Sequence, residues 1–300
     1  MSKKVPLRLS TAFGPSRDQA VLLAVHPEEE HDDYGKPLPT RRTLILSLKG
    51  NVATFREEPS MPLARSWYSA GSGVGYCTSV ESNKLYKWQA GKWSEEVFSP
   101  TAITFVRFIF GFSGATPEED QLFLTTPEGV FVRANGAWKR HAVTGQKFAH
   151  QIHGRDPSEV YIGGEPAFKW DGKRMQEVGG PDDGEITKAL MVTSDELLVG
   201  GSRSMYITDA NGDWQPLGVP AANYGNLMEL NGVLFASSDK GLVQVRPPKR
   251  SFAKGSVKLG RLISVGDALI AMGESAAIVG DGTTWKDIKM PSCEVGKRPA

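Results

Sequence analysis

The sequence predicts an all-β fold, a single β-propeller of seven four-stranded antiparallel blades spanning residues 1–300, with six blades as the alternative. Three observations predict it: a surplus of glycine, a short apolar landmark recurring about every 37 residues, and hairpin turns at a constant place in each period. The chain carries 33 glycines, where average composition would supply about 21. Glycine excess without low-complexity runs signals many tight turns and hence many short strands. Hydrophobic content of 40% and charged content of 23% are ordinary for a chain with a large buried core.

The landmark is an apolar run that ends on small residues. It reads Gly75-Tyr76-Cys77-Thr78-Ser79, Leu122-Phe123-Leu124-Thr125-Thr126 and Val160-Tyr161-Ile162-Gly163-Gly164. It returns as Leu197-Leu198-Val199-Gly200-Gly201, Leu234-Phe235-Ala236-Ser237-Ser238 and Ile270-Ala271-Met272-Gly273. Its last apolar residues lie 47, 38, 37, 37 and 36 positions apart, and the longest gap holds a polar insertion at 113–119. A first copy, Val21-Leu22-Leu23-Ala24, falls into the same period once the polar insertion 26–40 is set aside. A strand precedes each landmark, at residues 7–13, 67–70, 103–111, 150–154, 186–193, 225–230 and 258–265.

After each landmark come a second strand, a turn, and often a Trp that opens the outer strand. The turns include Ala90-Gly91, Asn135-Gly136, Asp171-Gly172, Asn211-Gly212 and Asp281-Gly282. Asn-Gly and Asp-Gly suit the two positive-φ positions of a type I′ hairpin turn. Pro100, Pro181, Pro220 and Pro291 then end the units. Strict repetition at this period separates a propeller from a β-sandwich, and the missing 3.6-residue periodicity excludes a helical solenoid. Cys77 and Cys293 are too few for a disulfide framework, and Cys77 reads as a small buried hydrophobe.

The stretch from Ile152-His153-Gly154 through Val160-Tyr161-Ile162-Gly163-Gly164 to Lys169-Trp170-Asp171-Gly172 resembles a bacterial, myxobacterial-type propeller repeat. That repeat runs approximately Pro-Asp-Asp-Val-Trp-Ala-Val-Gly, then His-Trp-Asp-Gly and a Trp. Ala277-Ile278-Val279-Gly280-Asp281-Gly282-Thr283-Thr284-Trp285 is similar to its second half. The resemblance implies a fold and brings no catalytic residues. WD40 pairs are missing, and the sialidase-type Asp-box is half met, with Gly280 at the Asp position.

Formal net charge is +1, so no global field favours nucleic acid or an acidic membrane surface. Residues 1–6 lack the apolar core of a secretory signal and no apolar run approaches the ~18 residues of a membrane span, which makes the cytoplasm the expected compartment. Nucleophile elbow, phosphate loop, dinucleotide fingerprint and His-Glu-x-x-His are all missing, so neither enzyme activity nor a cofactor or metal is expected.

If strands run outward from the axis, one ring face carries the connections between blades and the second-to-third strand loops. The other face is built mostly of short turns. The longer loops of the first face are the expected contact surface. Its chief feature is His26, Glu28, Glu29, Glu30, His31, Asp32, Asp33 and Tyr34. Three readings compete there: a solvated acidic loop, an acidic contact for a basic partner with Tyr34 as anchor, and a metal site. Arg65, Trp67, Tyr68, Lys147, Phe148, Asp182, Asp183 and Tyr224 lead into the inner strands near that face. The aromatic run through Phe105, Phe108 and Phe110 reads as core, and His150 and His153, three apart on a strand, point to opposite faces.

The expected function is binding of another protein without catalysis, one specific version being an immunity protein that neutralises a toxin with a basic surface in the same cell. The alternatives are a metal-dependent hydrolase or small-ligand propeller with a site at the central channel, and a scaffold subunit of a larger complex.

Overall fold

The computed structural model describes residues 4–27, 42–59, 61, 63–79, 83–142, 148–181, 189–193, 196–200, 203–208, 212–246, 251–255, 257–294, 297 and 299. They form seven four-stranded antiparallel sheets, each made of four strands consecutive in the chain. Blade 1 is Arg8–Phe13, Val21–Val25, Leu44–Lys49 and Val52–Glu57, and blade 2 is Leu63–Ser69, Val74–Ser79, Lys84–Gln89 and Lys92–Val97. Blade 3 is Phe108–Phe112, Gln121–Thr126, Gly129–Ala134 and Ala137–His141, and blade 4 is Phe148–Asp156, Glu159–Glu165, Ala167–Trp170 and Met175–Val178. Blade 5 is Ala189–Val192, Leu197–Gly200, Met205–Thr208 and Trp214–Pro216. Blade 6 is Tyr224–Leu230, Val233–Ser238, Gly241–Arg246 and Ser251–Gly255, and blade 7 is Arg261–Val265, Ala268–Met272, Ala277–Gly280 and Trp285–Asp287.

The first strand of every blade touches the first strands of both neighbours, blade 7 closing on blade 1, so these seven strands surround the axis. The ring is therefore a seven-bladed propeller, as the period predicted. Among the described residues, no blade borrows a strand from the other terminus. The ends meet instead in a small clasp, where Val5–Pro6 pairs antiparallel with Ser292–Cys293. Leu7 N donates to Pro291 O at 2.9 Å, and Lys289 N donates to Asn51 O at 2.8 Å.

Strand alternation explains why the landmark strands are apolar throughout. In Val21–Val25, Leu22 and Ala24 join a cluster with blade 7, whereas Val21 and Leu23 join one with blade 2. Leu122 and Leu124 face blade 2 while Phe123 faces blade 4. Leu234 and Ala236 face blade 5 while Phe235 faces blade 7. Successive side chains point to opposite faces and each face meets a neighbouring blade, so no polar face remains. The core is thus a set of wedges between blades, and full burial of each Leu or Phe contributes about 1.5–3 kcal/mol. Cys77 is a buried member of one wedge.

The outer strands are pinned by the tryptophans. Trp93 packs on Trp88 and edge-on to Phe13, Trp138 lies against Phe98, and Trp285 meets Phe235 edge-on. The expected pair of positive φ values is found at Ala90-Gly91 (48° and 82°) and Asn135-Gly136 (48° and 74°), whereas at Asp171-Gly172 and Asp281-Gly282 only the glycine takes it, at 88° and 95°. Asp171 caps its turn through Lys173 N and Arg174 N, each at 2.9 Å. Asp281 accepts from Thr283 N at 2.9 Å and Thr284 N at 2.8 Å. The half-met Asp-box at Gly280 thus closes its turn with the next residue.

Candidate functional site

The first strand of each blade is a sheet edge whose outer backbone groups face the axis, where no further strand pairs with them. Side chains from neighbouring blades supply the missing partners. Ser66 Oγ donates to Ala12 O at 2.8 Å and shares a 2.6 Å hydrogen bond with Thr11 Oγ1. Asn226 Oδ1 accepts from Leu262 N at 2.7 Å, and Gln151 Oε1 accepts from Leu190 N at 2.9 Å. Across the closing seam, Arg261 Nη1 donates to Ser10 O at 3.2 Å. These polar residues stitch blades 6, 7, 1 and 2, and blades 4 and 5, around the axis. The innermost strands of blades 1, 2, 4 and 6 also carry register shifts near their starts. Such bulges re-aim side chains. The one between Ala149 and Gln151 breaks the strict alternation from which His150 and His153 were assigned to opposite faces.

Inside this belt lies a cavity of about 500 Å³ walled by the inner strands of blades 1, 2, 3, 4, 6 and 7. It extends from the starts of the inner strands at Arg65, Gly225 and Gly260, on the long-loop face, to the short turns at Gly14, Ala70 and Gly266. The aromatic wall includes Phe13, Trp67, Tyr68, Phe108 and Phe110. Trp67 is stacked on Tyr76 with centroids 5.9 Å apart, and the Arg65 guanidinium lies 5.8 Å over the Phe108 ring. Arg65 and Arg261 bring two positive charges to the lining, which holds no carboxylate among the described residues. His153 sits 5.1 Å from Phe110. Burial pushes its imidazole down to about 4, so it is neutral at pH 7. Burial also raises the Tyr68 phenol.

The structure therefore brings Arg65, Trp67 and Tyr68 together. It separates other expected contact residues. His26 is buried at 1% exposure beyond the second strand of blade 1. Tyr224 is wholly buried, its hydroxyl donating to Pro220 O, and burial together with the Asp239 charge pushes the phenol up to about 12. Both are packing residues that present no surface to a partner. Glu28, Glu29, Glu30, His31, Asp32, Asp33, Tyr34, Lys147, Asp182 and Asp183 lie outside the described residues, as does the side chain of Phe148. The sequence did not single out Arg261, Gln151 or Asn226, and it assigned Phe108 and Phe110 to the core. The last two are half-buried and line the cavity while also packing on the wedge between blades 3 and 4. The available signal was a polar residue near the start of an inner strand, seen at Gln151, Asn226 and Arg261.

A second polar cluster braces the insertion 113–119. Asp120 is fully buried and accepts from Ser69 Oγ at 2.6 Å, Ser72 Oγ at 2.6 Å, Tyr76 OH at 2.7 Å and Gly114 N at 2.8 Å. Nearby, Arg133 is 2% exposed and donates to Glu96 at 3.0 Å and to Pro117 O at 2.6 Å. Glu96 also pairs with Lys87 at 2.5 Å and receives the Trp138 indole N–H. These cationic and hydrogen-bonding partners outweigh the cost of its burial and hold the carboxyl below its usual range. The cluster locks blade 2 to blade 3.

Among the described residues, no three His, Cys, Asp or Glu side chains gather as a metal cluster, and no helix is long and apolar enough to cross a membrane. No protein-family model matches the chain. No curated protein matches it either. Solved structures do. The propeller YCF48 bound to a D1 peptide superposes with a TM-score of 0.62 at 10% identity, over 93% of this chain and 94% of that one. PorZ, a surface component of the type-IX secretion system of Porphyromonas gingivalis, gives 0.63 at 11% identity, over all of this chain and 40% of that one. The WD40 propeller domain of Doa1 gives 0.58 at 8% identity, over 94% and 96%. At such identities the likeness establishes one thing, that this chain has the fold of a β-propeller, and bacterial propellers are among its structural neighbours.

Proposed function

We propose that this chain is a non-catalytic recognition propeller whose partner is another protein, engaged where the axial cavity meets the ring face. The observation that carries this reading is the convergence of Arg65, Trp67 and Tyr68 with Phe108, Phe110 and Arg261 on one cavity. Trp, Tyr and Arg are the side chains on which interface energy concentrates. Here they stand on strands whose positions are set by neighbouring blades, the kind of rigid support recognition requires. The likeness to a propeller with a bound peptide agrees with this reading.

Finer parts of the proposal come from the sequence. The loop 26–40 adds an acidic contact with Tyr34 as its anchor, the blades are of the myxobacterial type, and the chain works in the cytoplasm as an immunity protein against a toxin of the same cell. Capture of tagged chain from its native cells tests this, with Arg65→Ala/Trp67→Ala and a deletion of residues 28–34 run beside the wild type. Loss of a specific partner from the double variant supports the cavity, and its loss from the deletion supports the loop. Retention of every partner by both variants sinks the proposal. For the immunity version, the captured partner must arrest growth when expressed alone and be neutralised by co-expression of this chain.

A further inference from the structure

We propose that the segment 288–293 is a latch: it releases as a local unit, below global unfolding, and makes the seam between blades 7 and 1 the place where the ring opens. Connectivity argues first. Blades that follow one another in the chain are neighbours around the axis, so the chain itself joins them at six junctions. Blades 7 and 1 are the last and the first, and only non-covalent contacts join them. A short connection holds two parted blades at high effective concentration, and the seam lacks that tether.

Placement argues second. Beyond Trp285–Asp287 the chain passes from blade 7 onto blade 1. Asn51 Nδ2 donates to Asp287 O at 2.8 Å. Lys289 then forms a parallel bridge with Val52, its N donating to Asn51 O at 2.8 Å and its O accepting from Ala53 N at 3.0 Å. Pro291 O accepts from Leu7 N at 2.9 Å, and Ser292–Cys293 pairs with Val5–Pro6. Ile288 and Cys293 are buried in the wedge between blades 7 and 1 and Met290 packs on it, while Lys289 and Ser292 are exposed. One short segment thus grips the outer strand of blade 1 and the lead into its inner strand. Strength argues third, because this grip is narrow. The clasp is two residues per strand, and Pro6 has no N–H to donate. A lone two-stranded pair is marginal in water. Segments with few buried contacts open at free energies below the global one. In a ring of repeats each unit rests on its own fold and its neighbours, so release at one interface leaves the other blades folded. Thr11 and Ala12 of blade 1 and Leu262 and Ile263 of blade 7 line the axial cavity, so the latch also holds the cavity wall at the seam.

The two cysteines provide the test in the unaltered chain. Cys293 lies in the latch and Cys77 between blades 1 and 2, and both are buried. Pulse labelling with N-ethylmaleimide over a urea series, read for each cysteine by peptide mass spectrometry, separates local from global opening. At low urea Cys293 should react at least about a hundredfold faster than Cys77, with little dependence on urea. Cys77 should follow the steep urea dependence of global unfolding. Equal rates with a common urea dependence overturn the proposal. A second measurement locks the latch. Val5 pairs directly with Cys293, so Val5→Cys can be oxidised to a disulfide across the clasp. The amides of Leu7, Ala53 and Lys289 bond across the seam. Their hydrogen exchange should slow at least about tenfold on oxidation and recover on reduction, with the amides of blade 4 unchanged. Unchanged exchange at the seam, or equal slowing in every blade, overturns the proposal as well. If Val5→Cys does not fold or does not cross-link, the labelling of the unaltered chain decides alone.

Discussion

Replacing Asp120 with alanine removes one acceptor that serves four donors, and the cost can be worked from the contacts. Ser69 and Tyr76 are both fully buried, so their hydroxyls have no water to turn to once the carboxylate is gone. Tyr76 keeps only a 3.3 Å contact to Pro117 O. Each buried donor left unsatisfied costs about 1–3 kcal/mol. Ser72 is half-buried and Gly114 N lies near the surface, so water replaces the carboxylate for these two at little cost. Part of the loss is returned because the variant no longer desolvates a carboxylate. The expected net loss is about 3–5 kcal/mol, measured as a fall in ΔG of unfolding by urea titration. Tyr76→Phe removes one donor and should cost about 1 kcal/mol. In the double variant the Tyr76 change should cost almost nothing further, giving a coupling of about 1 kcal/mol. An Asp120→Ala loss below about 1 kcal/mol, or strict additivity with Tyr76→Phe, would show that the cluster does not hold blades 2 and 3 together.

Two further outcomes follow from packing and protonation. The folded-state value of His153, about 4, lies below the ordinary 6.5. The unfolded chain therefore binds more protons between those limits, and stability falls as pH drops from about 6.5 to 4. His153→Phe should remove part of that fall in urea titrations across this window; parallel profiles would mean that His153 is not desolvated as described. At Gly75 a Cβ atom would stand 2.1 Å from the Phe13 ring, which is buried between blades 1 and 2. Gly75→Ala should thus lower stability by about 1–3 kcal/mol, the usual range for overpacking, and a change within about 0.5 kcal/mol in calorimetry would contradict that wedge.

How far the sequence could be read depended on the range of the interactions involved. Blade count, strand order and turn positions rest on local chemistry, as at Asn135-Gly136, and these were legible. Element boundaries were less so where a side chain intervened. Residues 103–111 read as one strand, yet the inner strand of blade 3 begins at Phe108. Glu128 holds Thr104 N at 2.9 Å and Thr104 Oγ1 at 2.7 Å, keeping the preceding residues as a loop. Asp120, next to the insertion 113–119, was not singled out in the sequence. Its burial depends on Ser69, Ser72 and Tyr76, which lie 51, 48 and 44 residues earlier in the chain. The axial cavity was beyond local reading altogether, because each inner strand contributes a few residues and the next contributor comes about one blade later.

That dispersal has a thermodynamic consequence. The hydrogen bond from Arg261 to the Ser10 carbonyl joins residues 251 positions apart and spans the seam where blade 7 meets blade 1. The cavity wall at this point exists only in the closed ring. Closure uses no shared blade among the described residues; it depends on contacts between the first strands of blades 7 and 1, on the wedge between those blades, and on the terminal clasp. An occupant of the cavity that touched blades 7 and 1 together would bind the closed state and not an opened one. Linkage then requires that occupancy stabilise closure, by about 2.7 kcal/mol when the ligand stands at a hundredfold excess over its Kd. Whatever loosened the seam would weaken such binding, and whatever filled the cavity would tighten the seam.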